Sequence, residues 1–206
     1  MFLGCKETEI QKSETALSDI IASFEDFESY DEEAYPLGLY TKERYQQEAD
    51  FAKTKLDELA TIDTEGLSET NRISYDLLRF KLQDIIDFYE FERYLNPILS
   101  DSGFHSSLTY NVRPLTTYEQ VKKYLNKLNA LPDFVDQHFV NLREGLEKGV
   151  SQPRVIFNGY ESTYNDHIVN DYQDSFYYSP FKKLPEGLSK DQTDSVLVAA
   201  KEVVET

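Results

Sequence analysis

An all-α protein, a multi-helix array of about seven helices, is predicted by three observations. Apolar residues recur at three- and four-residue spacing, hydroxyl residues stand at capping positions ahead of several of those runs, and short turn segments separate them. The longest run, Ser68 to about Leu95, organises the rest. Arg72, Asp76, Arg79, Gln83, Asp87 and Glu90 fall on one narrow stripe. Ile73, Leu77, Phe80, Phe88 and Phe91 line one side and Leu78, Leu82, Ile85, Ile86 and Tyr89 the next. That apolar arc is wider than a surface helix needs, so the run is expected to be a central pillar covered on at least two sides. With 206 residues, 40% of them hydrophobic, the chain can bury a core.

Ser13 is placed as the cap of a first helix with the stripe Leu17, Ile20, Ile21, Phe24 and Phe27. An acidic stretch, Glu25 to Glu33, leads to Pro36, and a second helix begins after Thr41 with Tyr45, Ala49, Ala52, Leu56 and Leu59 on one face. Gly66 separates it from Ser68, and links this short favour antiparallel neighbours. After Leu95 the periodicity stops for about twenty residues, a length that inside a helical body often marks a binding or lid element. Thr117 and Gln120 stand at capping-box spacing ahead of Tyr118, Val121, Leu125 and Leu128. Pro132 suits a first helical turn, and Leu131, Val135, Phe139, Leu142 and Leu146 form the next stripe, stopped by Gly149. A helix from Pro153 through Ile156, Tyr160, Tyr164 and Ile168 is expected, then an aromatic loop from Asp171 to Pro185 packed on the body. Ser189 and Gln192 open a last helix through Val196, Ala200 and Val203, which carries neither Gly nor Pro to stop it before Thr206.

The net charge of -17 repels phosphate backbones and anionic headgroups, so nucleic acid is not an expected partner. No apolar run is long enough to span a membrane. Residues 1–12 read as a tether ahead of a helical region, 13–206. Met1-Phe2-Leu3-Gly4-Cys5, followed by polar residues, resembles the end of a bacterial lipoprotein signal in which the cysteine becomes the lipidated terminus. On that resemblance Cys5 is the lipidation site, membrane attachment is through a lipid anchor there alone, and the location is the cell envelope, facing the periplasm or exterior. The ordinary alternative is a free cysteine. As the only cysteine, it can form neither an internal disulfide nor a thiolate cluster.

No His-Glu-x-x-His, Gly-x-Ser-x-Gly, phosphate-binding glycine loop or EF-hand pattern occurs. Of the three histidines, His138 and His167 sit at the edges of helical stripes and read as packed, hydrogen-bonded side chains. His105 lies in the irregular segment between Gly103 and the hydroxyls of Ser106 and Ser107. That mixture suits a polar ligand, or serves the loop's own backbone. Arg154, beside Pro153, could hold a ligand carboxylate or a structural ion pair. Glu25, Asp26, Glu28 and Asp31 to Glu33 lack the spacing of a calcium loop and read as a solvated surface.

Three stretches together carry a family resemblance: Ser68-Glu69-Thr70-Asn71-Arg72-Ile73-Ser74-Tyr75-Asp76-Leu77-Leu78, Ser100-Asp101-Ser102-Gly103-Phe104-His105-Ser106-Ser107 and Leu142-Arg143-Glu144-Gly145-Leu146-Glu147-Lys148-Gly149-Val150-Ser151-Gln152-Pro153-Arg154-Val155. With Phe176-Tyr177-Tyr178-Ser179-Pro180-Phe181 they resemble the N-terminal half of the bacterial family called domain of unknown function 885, over roughly Tyr40 to Thr206. The resemblance implies the N-terminal part of a larger helical metallopeptidase-like fold in an envelope lipoprotein. Zinc and a His-Glu-x-x-x-Gly-His helix would then belong to a C-terminal half beyond this chain. On that reading these residues hold no catalytic group, metal ligand or cofactor and form a scaffold and one wall of a cleft for a peptide substrate. The missing C-terminal half is the implied partner. Candidate cleft residues are Ser100, Asp101, Gly103, His105, Ser106 and Arg154. The competing expectation is a non-enzymatic helical lipoprotein that binds a ligand or protein.

Overall fold

The computed structural model describes residues 3–28, 31–98, 103–165 and 167–205, without the side chains of 3–9, 28 and 107. Among them are eight α-helices: α1 (Leu3–Glu28), α2 (Lys42–Leu59), α3 (Glu69–Glu90), α4 (Phe104–Ser107), α5 (Tyr118–Asn129), α6 (Leu131–Glu147), α7 (Ser162–Asn165) and α8 (Lys190–Glu205). No strand occurs among these residues; the one bridge, Ile98 to Gly103, is isolated. The all-α expectation holds, with α4 and α7 as single turns. No helix among the described residues is long and apolar enough to cross a membrane.

The chain forms two compact units, the first from Met1–Tyr30 and Thr41–Tyr94, the second from Asp31–Tyr40 and Leu95–Thr206. In the first, Leu17, Ile20 and Phe24 of α1 share a core with Ala52 and Leu59 of α2 and Leu78, Leu82 and Ile86 of α3. Local capping sets the helix starts. Thr41 Oγ1 accepts from the Arg44 amide at 3.2 Å, and Ser68 Oγ accepts from Asn71 at 3.2 Å. Helices α2 and α3 run antiparallel: Tyr45 near the start of α2 meets Phe88 near the end of α3, with ring centroids 5.3 Å apart. Ser13, by contrast, caps nothing. It is buried within α1, which begins at Leu3.

The pillar expectation for α3 is corrected. Its Leu78, Leu82 and Ile86 face is buried, but Ile73, Leu77, Phe80 and Phe91 are 58–74% exposed. Within the first unit α1 and α2 both pack on one side of the helix, so only that side is dry. The helix also ends at Glu90, where Glu92 takes a positive φ of 51° and turns the chain.

In the second unit, Val121, Tyr124 and Leu128 of α5 pack with Val196 and Ala200 of α8 and with Tyr178 and Phe181. The aromatic segment after Asp171 is thus part of the core, as its composition suggests. Both hydroxyl caps form: Thr117 Oγ1 accepts from Gln120 at 3.2 Å, and Ser189 and Gln192 close a reciprocal box at 3.1 and 2.9 Å. Helix α6 ends at Glu147 and is closed by Gly149, whose φ of +78° lets Val150 donate to Gly145 O at 2.8 Å and Gly149 to Leu146 O at 3.1 Å.

Two expectations fail here. The helix from Pro153 to Ile168 is instead a 3-10 turn, Arg154–Phe157, and the single turn α7. Gly159 adopts φ +77°, which a continuous helix does not allow, and the Ser162 and Thr163 hydroxyls donate to the carbonyls of Gly159 and Tyr160 alongside three-residue backbone bonds. On α6 the buried residues are Phe134, His138, Asn141 and Gly145, one position off the predicted stripe. Asn141 Nδ2 donates to Tyr40 O at 2.8 Å, and a Cβ on Gly145 would lie 2.6 Å from Leu95 O. A hydrogen bond and a close backbone approach therefore fix the rotation of this helix, leaving Phe139 40% and Leu146 66% exposed.

Candidate functional site

The irregular segment after Leu95 folds into α4 and packs, within the second unit, against α6 and α7. Ser106 anchors its start. The Ser106 hydroxyl donates to Gly103 O at 2.9 Å and accepts from Gly103 N at 3.1 Å, so this side chain serves its own loop. Phe104 points to α6, where its ring stacks on His138 at 4.5 Å. His105 points to α7.

The hydrogen-bond network around His105 assigns its tautomer. Thr163 Oγ1 donates its one proton to Tyr160 O at 2.7 Å. With that proton assigned to Tyr160 O, the hydroxyl accepts from His105 Nε2 at 2.9 Å, and the imidazole proton is assigned to Nε2. His105 Nδ1 is left as a bare acceptor. Burial, and secondarily the charge of His167, lower the His105 pKa and favour this neutral form at physiological pH.

Tyr160 completes the arrangement. Its ring lies edge-on to His105 at 5.2 Å, and its buried hydroxyl has no partner among the described residues. Burial raises the pKa of that phenol, which keeps its proton available for donation. Both groups converge on Gly103: a Cβ there would lie 2.8 Å from the Tyr160 hydroxyl and 3.1 Å from His105 Nδ1. A donor and an acceptor thus flank one backbone position that any larger residue would crowd. The position is filled by the Gly103 backbone itself, and the Tyr160 hydroxyl is buried against it.

His138 is packed, as expected, but not hydrogen-bonded. Tyr40, Phe104 and Phe134 enclose it with ring centroids 4.5–4.7 Å away, and neither ring nitrogen has a partner. Burial lowers its pKa to about 4, so it is neutral at physiological pH. His167 lies against Tyr177 at 5.4 Å, with Nδ1 also buried and without a hydrogen-bond partner among the described residues.

Of the sequence candidates, the structure brings Gly103, His105 and Ser106 together. Arg154 is exposed and makes no ion pair among the described residues. Ser100 and Asp101 lie outside the described residues, as does the side chain of Cys5. Tyr160 and Thr163 are additions of the structure; the only trace of them in the sequence is a hydroxyl-rich segment after Gly159. The zinc that the resemblance implies finds no fit here: no group of three His, Cys, Asp or Glu among the described residues could hold a metal ion. His105 is tied to Thr163, and His138 faces aromatic rings.

No curated protein sequence and no solved structure matches this chain. The model of the family described as "Bacterial protein of unknown function (DUF885)" matches residues 28–206, and the chain belongs to that family.

Proposed function

We propose that this chain is a non-catalytic helical scaffold and one wall of a peptide-binding cleft in an envelope lipoprotein of zinc-metallopeptidase type. The observation that carries the reading is the donor and acceptor pair at Gly103, with Tyr160 OH on one side and His105 Nδ1 on the other. On this reading the pair orients a backbone amide once Tyr160, whose hydroxyl is buried here, turns toward it, and performs no bond cleavage by itself. Zinc and the general base of a peptidase would come from residues outside those described here. The exposed apolar stripe of α3 is consistent with a scaffold that meets another surface.

The test pairs binding with stability on the full chain. Blocked tripeptides are titrated by calorimetry into the wild-type protein and His105→Ala, and both proteins are melted. Weakened binding at an unchanged melting temperature is the expected result. A matching loss of both makes His105 structural. Peptide hydrolysis by this chain on addition of zinc overturns the non-catalytic assignment.

A further inference from the structure

Within the second unit, a groove of about 660 Å3 shares no residue with the His105 site. Its walls are Leu115, Phe176, Leu184 and three prolines, Pro114, Pro180 and Pro185, with Arg113, Lys183 and Glu186 also on its lining. The volume falls in the range of small-molecule sites, roughly 300–1,000 Å3. Its chemistry is one-sided. The prolines offer no N–H. The Thr116 amide and hydroxyl are both given to Gln120 Oε1, at 2.8 and 2.9 Å, and the Ser179 hydroxyl donates to Phe176 O at 2.7 Å. Arg113 Nε donates to Tyr110 O at 3.0 Å, leaving its terminal nitrogens.

What remains to a ligand is a largely apolar trough with two cations and one carboxylate, Glu186, on its lining, a net single positive charge. Neither Arg113 nor Lys183 makes an ion pair among the described residues, although the chain carries a net charge of -17. A peptide would bring a backbone polar group every few atoms, and the three prolines and the internally bonded Thr116 and Ser179 hydroxyls leave fewer groups along the trough to answer them than at its charged ends. An alkyl chain asks for no hydrogen bonds, and a carboxylate at its end is suited to a guanidinium and an ammonium. We infer that this groove binds a fatty acid, its acyl chain along Leu115, Leu184 and the prolines and its carboxylate held by Arg113 and Lys183. This site does not depend on the peptide reading of His105.

The test is calorimetric titration of the full chain with dodecanoate below its micellar concentration. Saturable binding of one equivalent is expected, weakened about tenfold in the double variant Arg113→Ala, Lys183→Ala and unchanged in His105→Ala. Both cations are exposed, so the double variant is expected to melt as wild type does. Leu184→Asp is expected to abolish binding; if it fails to fold, the double variant decides alone. Acetate, which has the head without the chain, and dodecanol, which has the chain without the charge, are each expected to bind far more weakly. Absence of dodecanoate binding, equal affinity in the double variant, or displacement by trileucine as effective as by dodecanoate itself would overturn the assignment.

Discussion

Helices α5 and α6 follow one another in the second unit, are both strongly amphipathic, and obey different rules. On α5 the periodic residues Val121 and Leu128 are buried together with Tyr124. On α6 the inward face is Phe134, His138, Asn141 and Gly145, while Phe139, Val140 and Leu146 face outward. The difference lies in what each helix packs against. Helix α5 buries apolar area against the side chains of α8, and its Tyr124 hydroxyl donates to Tyr177 O at 2.8 Å from within that same apolar face, so period and hydrogen bond agree. Helix α6 meets backbone: the Tyr40 carbonyl, which needs a donor, and the Leu95 carbonyl, which leaves no room for a Cβ. A buried carbonyl without a donor costs about 1–3 kcal/mol. That is enough to outweigh partial exposure of a leucine or a phenylalanine.

This contrast is most severely tested at Gly145. Gly145→Ala sets a methyl 2.6 Å from Leu95 O and is expected to destabilise the protein by about 3 kcal/mol in chemical denaturation. A loss within about 0.5 kcal/mol would show that α6 can roll to its apolar stripe without cost. Asn141→Leu sharpens the same point. If apolar periodicity ruled α6, leucine there would stabilise; the account expects a loss of about 2 kcal/mol, because the Asn141 bond to the Tyr40 carbonyl is lost.

The next effect is pH-dependent. The folded pKa of His138 lies near 4, below its ordinary 6.5. Between those values the unfolded chain takes up a proton that the folded chain refuses, so stability present above pH 6.5 is lost as pH falls toward 4. His138→Phe removes this term. Over that interval the wild type is expected to lose on the order of 2 kcal/mol more than the variant, measured by denaturation at several pH values. The smallest effect belongs to the outward stripe: Leu146→Gln is expected to change stability by less than about 0.5 kcal/mol, whereas Leu128→Gln on α5 should cost several-fold more.

The same contrast explains what could be read in advance. The caps at Thr41, Ser68, Thr117 and Ser189 were legible because each is a bond across three residues, written entirely in local sequence. The cores of the first unit and of α5 and α8 were legible because apolar period and burial agree there. The rotation of α6 was not, since it depends on Tyr40, 101 residues from Asn141. His105 drew notice from its place in an irregular segment, but its partner Thr163 is 58 residues away and belongs to a stretch whose apolar spacing imitates a helix. The exposed flank of α3 illustrates the converse. A continuous apolar arc marks surface able to be covered, without saying that this chain covers it.

The central claim is that His105 is a neutral, Nε2-protonated acceptor held ready by Thr163 beside Gly103. Nitrogen-15 NMR of the histidine rings tests it most directly. The account predicts a protonated Nε2 and an unprotonated Nδ1 for His105 at neutral pH, with the Nδ1 resonance moving when a blocked tripeptide binds. An Nδ1-protonated ring, or a Nδ1 signal that stays fixed while the peptide is bound, would contradict it.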